Sequence, residues 1–193
     1  TALSQHVKGG AGLTILLGDR VDIRHYNERI LPELFPASLV EIVGIPGATE
    51  VYQTFKMPLP EHEIFALGDV QNNQELESPR FYSHYSIRLT GDSQAILRFG
   101  TGTPALAEKR LGEGHVVLFA SSLHSSLAWS DLPLTGLFVP LVHQLSNYLA
   151  AGSTGITDYS VGEAVYREVR IEETGEGVLR PPRGEDQTIW PER

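Results

Sequence analysis

Two runs of five residues, Leu13-Thr14-Ile15-Leu16-Leu17 and Val116-Val117-Leu118-Phe119-Ala120, carry no charge and almost no polarity, and they constrain the possible folds most. A strand with one wet face alternates, whereas a strand covered by helices on both faces reads as a near-continuous apolar run. Neither run approaches the roughly 18 apolar residues that a membrane-spanning helix needs. They predict an α/β domain of three layers, with Leu13–Leu17 and His115–Ala120 as interior strands of its sheet.

The rest of the chain is read around these two strands. Ala2 to Lys8 form the last turns of a helix, stopped by Gly9 and Gly10, since glycine accepts the left-handed conformation that ends a helix. The pattern thus enters in the middle of an αβ unit, and the start at Thr1 with no basic and apolar leader predicts a segment of a longer protein. Asp22 caps a helix running to about Leu31, in which Ile23, Tyr26, Asn27 and Ile30 share a face, until Pro32 and Pro36 break it. Leu39 to Val43 read as a second strand, and Gly44 to Ser78 as the least regular stretch. Phe81 to Leu89 alternate, which places Phe81, Ser83, Tyr85, Ile87 and Leu89 on one face and turns Tyr82, His84, Ser86 and Arg88 towards water.

Ala95–Phe99, Ala105–Leu111 and His115–Ala120 follow as strands joined by the glycine turns Gly100-Thr101-Gly102-Thr103 and Gly112-Glu113-Gly114. Leu134 to Leu149 read as a helix on the spacing of Leu134, Leu137, Phe138, Leu141, Leu145, Tyr148 and Leu149, with Pro140 marking a kink or a true start near Val139. The small residues Ala150 to Gly155 form a linker, which divides the chain into an α/β domain over 1–152 and a β-rich appendage over 153–193. Residues 156–193 hold five arginines, no lysine and nine acidic residues, too little apolar surface to order alone. Val165 to Ile171, with Gly175-Glu176-Gly177 as a turn, are expected to add as a strand to an edge of the sheet or to a second copy, giving a homodimer through this segment.

Charge and composition remove several functions. Of the 193 residues, 15 are Lys or Arg and 24 Asp or Glu, a net charge of −9 that repels a phosphate backbone and argues against nucleic acid as a partner. Cysteine is absent, so disulfides, thiolate catalysis and Cys-held metals are excluded.

The candidate chemistry is thin. Ser122, His124 and Asp131 lie near one another after a buried strand and suggest a hydrolase, with serine as nucleophile, His124 as base and Asp131 as its orienter. No glycine flanks the serines as a nucleophile elbow requires, so a polar loop capping the next helix is the preferred reading. Asp19 and Asp22, at the end of a predicted strand, form a candidate Mg²⁺ or Ca²⁺ pair, although Arg20 and Arg24 can neutralise them equally well. Gly102 with Pro104 reads as a hairpin turn rather than a phosphate cradle, because no Lys-Ser/Thr follows. The seven histidines show no zinc-binding spacing and read mostly as surface or turn residues. Trp129-Ser130-Asp131-Leu132-Pro133 reads as an aromatic staple ahead of a helix, with Asp131 or Ser130 as its cap. No cofactor motif is present.

Several stretches together resemble a known family. They are His6-Val7-Lys8-Gly9-Gly10-Ala11-Gly12-Leu13 into Ile15-Leu16-Leu17-Gly18-Asp19, Gly102-Thr103-Pro104-Ala105-Leu106, Gly112-Glu113-Gly114-His115-Val116 and Trp129-Ser130-Asp131-Leu132-Pro133 before Phe138-Val139-Pro140-Leu141. These resemble bacterial membrane-anchored proteins with an N-terminal BatA-type aerotolerance region, over about residues 1–150. The resemblance implies a flavodoxin-like, class I glutamine amidotransferase-like domain whose opening strands precede Thr1, with membrane helices outside this chain and an extracytoplasmic, periplasmic location. Amidotransferases of that fold use a Cys nucleophile and a His-x-Glu pair. Here there is no Cys, and Ser126 stands two residues after His124. The expectation is therefore a non-catalytic interaction or assembly module that binds a protein or other domains of its parent, with a hydrolase at Ser122, His124 and Asp131 or a metal at Asp19 as the alternative.

Overall fold

The computed structural model describes residues 2–56, 62–66, 76–124, 129–154, 177–179 and 187–189. The chain divides into two compact units, Thr1–Ile156 and Thr157–Arg193. In the second unit, strands Gly177–Leu179 and Gln187–Ile189 pair antiparallel. Val165 to Ile171, the strand expected in the tail, lie outside the described residues.

The first unit is a mixed α/β structure on a five-stranded mixed sheet. Its strands are β1 (Leu13–Leu16), β3 (Phe55–Lys56), β5 (Gln94–Phe99), β6 (Pro104–Leu111) and β7 (Gly114–Phe119). Their order is β1-β7-β6-β5-β3, with β1 parallel to β7 and the other neighbours antiparallel. β7, apolar from Val116 onward, is central: Val116, Val117 and Leu118 have no exposed surface. The short hairpins β5–β6 and β6–β7 form at the expected glycine turns. Gly102 (φ +89°) donates its amide to Phe99 O, and Pro104, which offers no donor, opens β6. Gly112 sits at φ +65°, and a Cβ on Gly114 would lie 2.2 Å from Val7 O, so both glycines let the β6–β7 turn lie against the end of helix α1 (Ala2–Lys8). Gly9 and Gly10 end α1 as expected, their amides bonding back to Gln5, His6 and Val7 carbonyls.

β1 departs from expectation. Among the described residues it is an edge strand, Leu16 is 49% exposed, and Leu17, just past its end, is buried. Its apolar run reflects contacts on one flank with β7 and not cover on both sides.

Strands β2 (Ala37–Gly44) and β4 (Ser83–Leu89) make a separate antiparallel pair, from Ala37 opposite Leu89 to Gly44 opposite Ser83, with a bulge between Leu39 and Glu41. The alternation over Phe81–Leu89 holds only in part. Tyr82 and His84, assigned to the wet face, are buried, because the Tyr82 and Ser83 amides bond to Trp129 O and the Tyr85 amide to Ala120 O, which lays this strand against the body. Phe55, Phe81, Phe99 and Phe119 meet there, with Phe55 and Phe81 centroids 4.5 Å apart and Phe81 and Phe99 5.2 Å apart.

The helical segments are more broken than the sequence suggests. Asp22 does cap α2 (Ile23–His25), accepting from the His25 amide at 2.9 Å. The chain then widens into a π-helical turn over Tyr26–Ile30 and runs on as α3 (Leu31–Leu34), so it passes Pro32 instead of breaking there. The wide turn aims Asn27 at β2, where its side-chain amide donates to Leu39 O at 2.8 Å and accepts from Leu39 N at 2.9 Å. Helix α4 is the single turn Glu63–Ala66. The long helix, α5, spans Phe138–Thr154, starting after a 3₁₀ turn at Leu132–Leu134, so Leu134 is 69% exposed and not on the packed face. Pro140 falls in its first turn, where the missing N–H costs nothing, and the helix start near Val139 is the reading that fits. Leu137 and Leu141 are buried against the core.

Candidate functional site

The sequence pointed to the carboxyl ends of β1 and β7, the usual ligand position in an open α/β sheet. A cavity of about 530 Å³ lies there, lined by Gly18, Asp19, Arg20, Pro46, Ser122, His124 and Trp129. Trp129 is buried and stacks on Tyr85 at 5.4 Å, while the Tyr85 hydroxyl donates to Gly18 O at 2.8 Å, which ties the β1 end to the β4 side. Burial, with Asp19 and Tyr26 adding to it, pushes the Tyr85 phenol up.

Ser122 and His124 line this cavity and Asp131 does not, and the three do not form a triad. Ser122 Oγ accepts from the His124 backbone amide at 3.1 Å, and Asp131 gives one oxygen to the Arg80 amide at 2.6 Å and the other to the Tyr82 hydroxyl at 3.4 Å. Asp131 is thus a tie between the Arg80–Tyr82 segment and the turn that carries Pro133, not a helix cap by its side chain. Burial and the adjacent Asp131 carboxylate push the Tyr82 phenol up. Ser130 Oγ donates to Ser122 O, and Ser121 Oγ to Ser83 O, so these serines hold loop backbone. Asp19 is exposed on the cavity rim, whereas Asp22 is committed to its cap, and Arg24 pairs with Glu28 at 2.9 Å.

The densest polar constellation lies elsewhere, and reading the histidines as surface residues missed it. Glu108 faces out of the sheet from β6 directly across from Gln94 of β5, and His115 of β7 shares that face two residues from Glu108's partner Val117. α5 brings Tyr148 over this face, and the segment before α4 brings His62. Glu108 is 4% exposed. Its Oε1 accepts from His115 Nδ1 at 2.8 Å and from the Tyr148 hydroxyl, and its Oε2 accepts from His62 Nε2 and Gln94 Nε2, each at 3.0 Å. Burial pushes the Glu108 carboxyl up, but the bonds from His115, His62, Tyr148 and Gln94 outweigh it and hold the group well below the usual carboxylate range. An ionised carboxylate only accepts, so both imidazoles donate here. His62 completes the assignment by accepting the Ile64 amide on Nδ1 at 3.4 Å. The cleft over this cluster is about 420 Å³ and includes Asp92 and Arg110. The one sequence signal was an acid directly after the apolar half of β6, Ala105-Leu106-Ala107-Glu108, ahead of Lys109 and Arg110.

A third histidine, His84, is 2% exposed, its ring 4.2 Å from that of Phe99, and burial alone pushes it down to about 4.

A different kind of surface runs along β2. Val40, Ile42, Val43 and Ile45 are between 38% and 71% exposed, followed by Val51 at 78% and Tyr52 at 44%. Among the described residues β2 pairs only with β4, so its other edge bears no strand.

No family model and no curated protein matches this chain. Solved structures do. The cytoplasmic protein STM3548 from Salmonella typhimurium aligns with a TM-score of 0.59 at 17% identity, over 77% of this chain and 58% of its own. The cytoplasmic protein STM1381 from Salmonella typhimurium LT2 aligns with a TM-score of 0.55 at 20% identity, over 78% of this chain and 57% of its own. At these identities the likeness establishes a shared α/β fold, and this chain spans less than three-fifths of either neighbour's length. Both neighbours are described as cytoplasmic, which counts against the extracytoplasmic, periplasmic location expected from the BatA-type resemblance, and that expectation is withdrawn.

Proposed function

We propose that this chain is a non-catalytic protein-interaction module that offers a sheet edge to another protein or to another domain of its parent. The observation that carries this reading is the second half of β2. From Val40 onward both faces of the strand are exposed, and Val40, Ile42, Val43 and Ile45 present apolar side chains to water beside an edge that bears no strand among the described residues. Folded proteins blunt such edges with charge, proline or cover unless a partner uses them, and a strand added there gains backbone hydrogen bonds together with apolar burial.

The finer fold reading, a flavodoxin-like and class I glutamine amidotransferase-like domain of a BatA-type parent, belongs to the same proposal. The parallel β1–β7 pair, with Gly9, Gly10 and Gly12 ahead of β1 and Gly112 and Gly114 at the start of β7, supports it.

Ile42→Lys with Ile45→Lys tests the function without touching the core. A partner that co-purifies with the wild-type chain, is lost from the double variant and protects the amides of residues 40–45 from exchange is the expected result. Identical co-purifying proteins for both chains, with no protection of 40–45, would overturn it.

A further inference from the structure

The cleft over Glu108 lies on β5, β6 and β7, apart from the β2 edge. Four donors from separate parts of the fold converge on one carboxylate, and rings flank it: the Tyr148 centroid lies 5.1 Å from that of His115 and 5.3 Å from that of His62. We propose that this cleft binds a small organic cation bearing N–H donors, an alkylammonium or guanidinium group, received by His115 Nε2, the Gln94 carbonyl oxygen and Asp92 beside the Tyr148 ring.

The polarity of the lining sets the class of ligand. In the neutral ring, with His115 Nδ1 donating to Glu108, Nε2 on the far side is an acceptor, and this side chain retains 24% of its exposure. Gln94 spends its amide nitrogen on Glu108 at 3.0 Å, which leaves its carbonyl oxygen, a second acceptor. Asp92 adds a carboxylate at the rim. The opposing charge is Arg110, which already lies 3.7 Å from Glu113. While both imidazoles are neutral, a ligand in the cleft therefore meets acceptors and net negative charge from the described lining residues, with an aromatic face of the kind that attracts cations within about 6 Å. In that state an anion would face the carboxylates of Glu108 and Asp92 with the shared Arg110 guanidinium in its favour.

The probes are butylamine and methylguanidinium, with acetate and inorganic phosphate as anionic counterparts, followed through the ring resonances of His115 and Tyr148 in the intact chain. Either cation is expected to shift those resonances saturably below about 10 mM, where the anions do not. Asp92→Asn, a change at an exposed rim residue, is expected to weaken the cation about 5-fold, the effect of one unit charge at about 4 Å in water. His115→Phe keeps a ring in place, removes the acceptor and is expected to abolish saturation. Should that variant fail to fold, Asp92→Asn decides alone. No saturation by either cation, saturation by an anion at the same resonances, or unchanged affinity in Asp92→Asn would each overturn the proposal.

Discussion

Lowering the pH from 7.5 to 5 should destabilise this protein chiefly through His84. That ring is 2% exposed against Phe99, and burial moves its titration from 6.5 to about 4. Between those values the unfolded chain binds a proton that the folded chain refuses, so stability falls as pH drops below 6.5 and the loss levels off below 4. With these two values the loss is about 2 kcal/mol at pH 5 and about 3 kcal/mol at pH 4. The assay is urea unfolding of the wild type and of His84→Leu at pH 7.5 and pH 5.0. The leucine fills a similar space with nothing to protonate, so the wild type should lose about 2 kcal/mol more than the variant over that interval. Equal losses in the two chains would refute the reasoning and show that His84 reaches water in the folded state.

Three further outcomes follow from the packing. Glu108→Gln replaces the acceptor of four hydrogen bonds with a group that must turn an NH₂ towards some of those donors, and should cost about 3–5 kcal/mol in urea unfolding. Because the folded Glu108 carboxyl titrates below its usual 4.5, its contribution is full above that value and is lost as pH falls through the folded one, so the variant should lack this part of the wild type's acid limb. Gly114→Ala puts a Cβ 2.2 Å from Val7 O and 2.3 Å from Ala11 O, two backbone atoms that can yield only if α1 shifts, and should lower the thermal midpoint by at least about 6 °C. Leu141→Ala, at a site 6% exposed, should cost about 2–5 kcal/mol, and an unchanged denaturation midpoint would mean that this face of α5 is not packed.

What the sequence made legible was local. The β5–β6 and β6–β7 hairpins are set by glycines within a few residues of the strands they join, and Val116–Ala120 could be placed at the centre because every residue in it is apolar. β1 looked equally interior, but an apolar run records contact without recording how many neighbours supply it, and among the described residues one strand, β7, pairs with it. Leu134 continued the helical spacing of Leu137 and Leu141 although the chain there turns as a 3₁₀ segment ahead of Phe138, since spacing alone does not mark where a helix begins. The Glu108 cluster was invisible for a different reason. His62 lies 46 residues from Glu108 and Tyr148 lies 40 residues from it, and nothing in their own neighbourhoods distinguishes them from surface side chains. Asp131 shows the converse: its proximity to Ser122 and His124 in sequence suggested chemistry, whereas Arg80 and Tyr82, about fifty residues away, are its partners.

The Asn27 side chain bears on how far any added strand can reach. By donating to the carbonyl and accepting from the amide of Leu39, it occupies both backbone groups that this residue turns away from β4, as one residue of a neighbouring strand would. It is a stop at one position on an edge that bears no strand among the described residues. An incoming segment can therefore pair with β2 only on the Glu41–Gly44 side of the bulge, which fixes its register and limits it to a few residues, and Asn27→Ala would lengthen the usable edge towards Ala37 and loosen that choice.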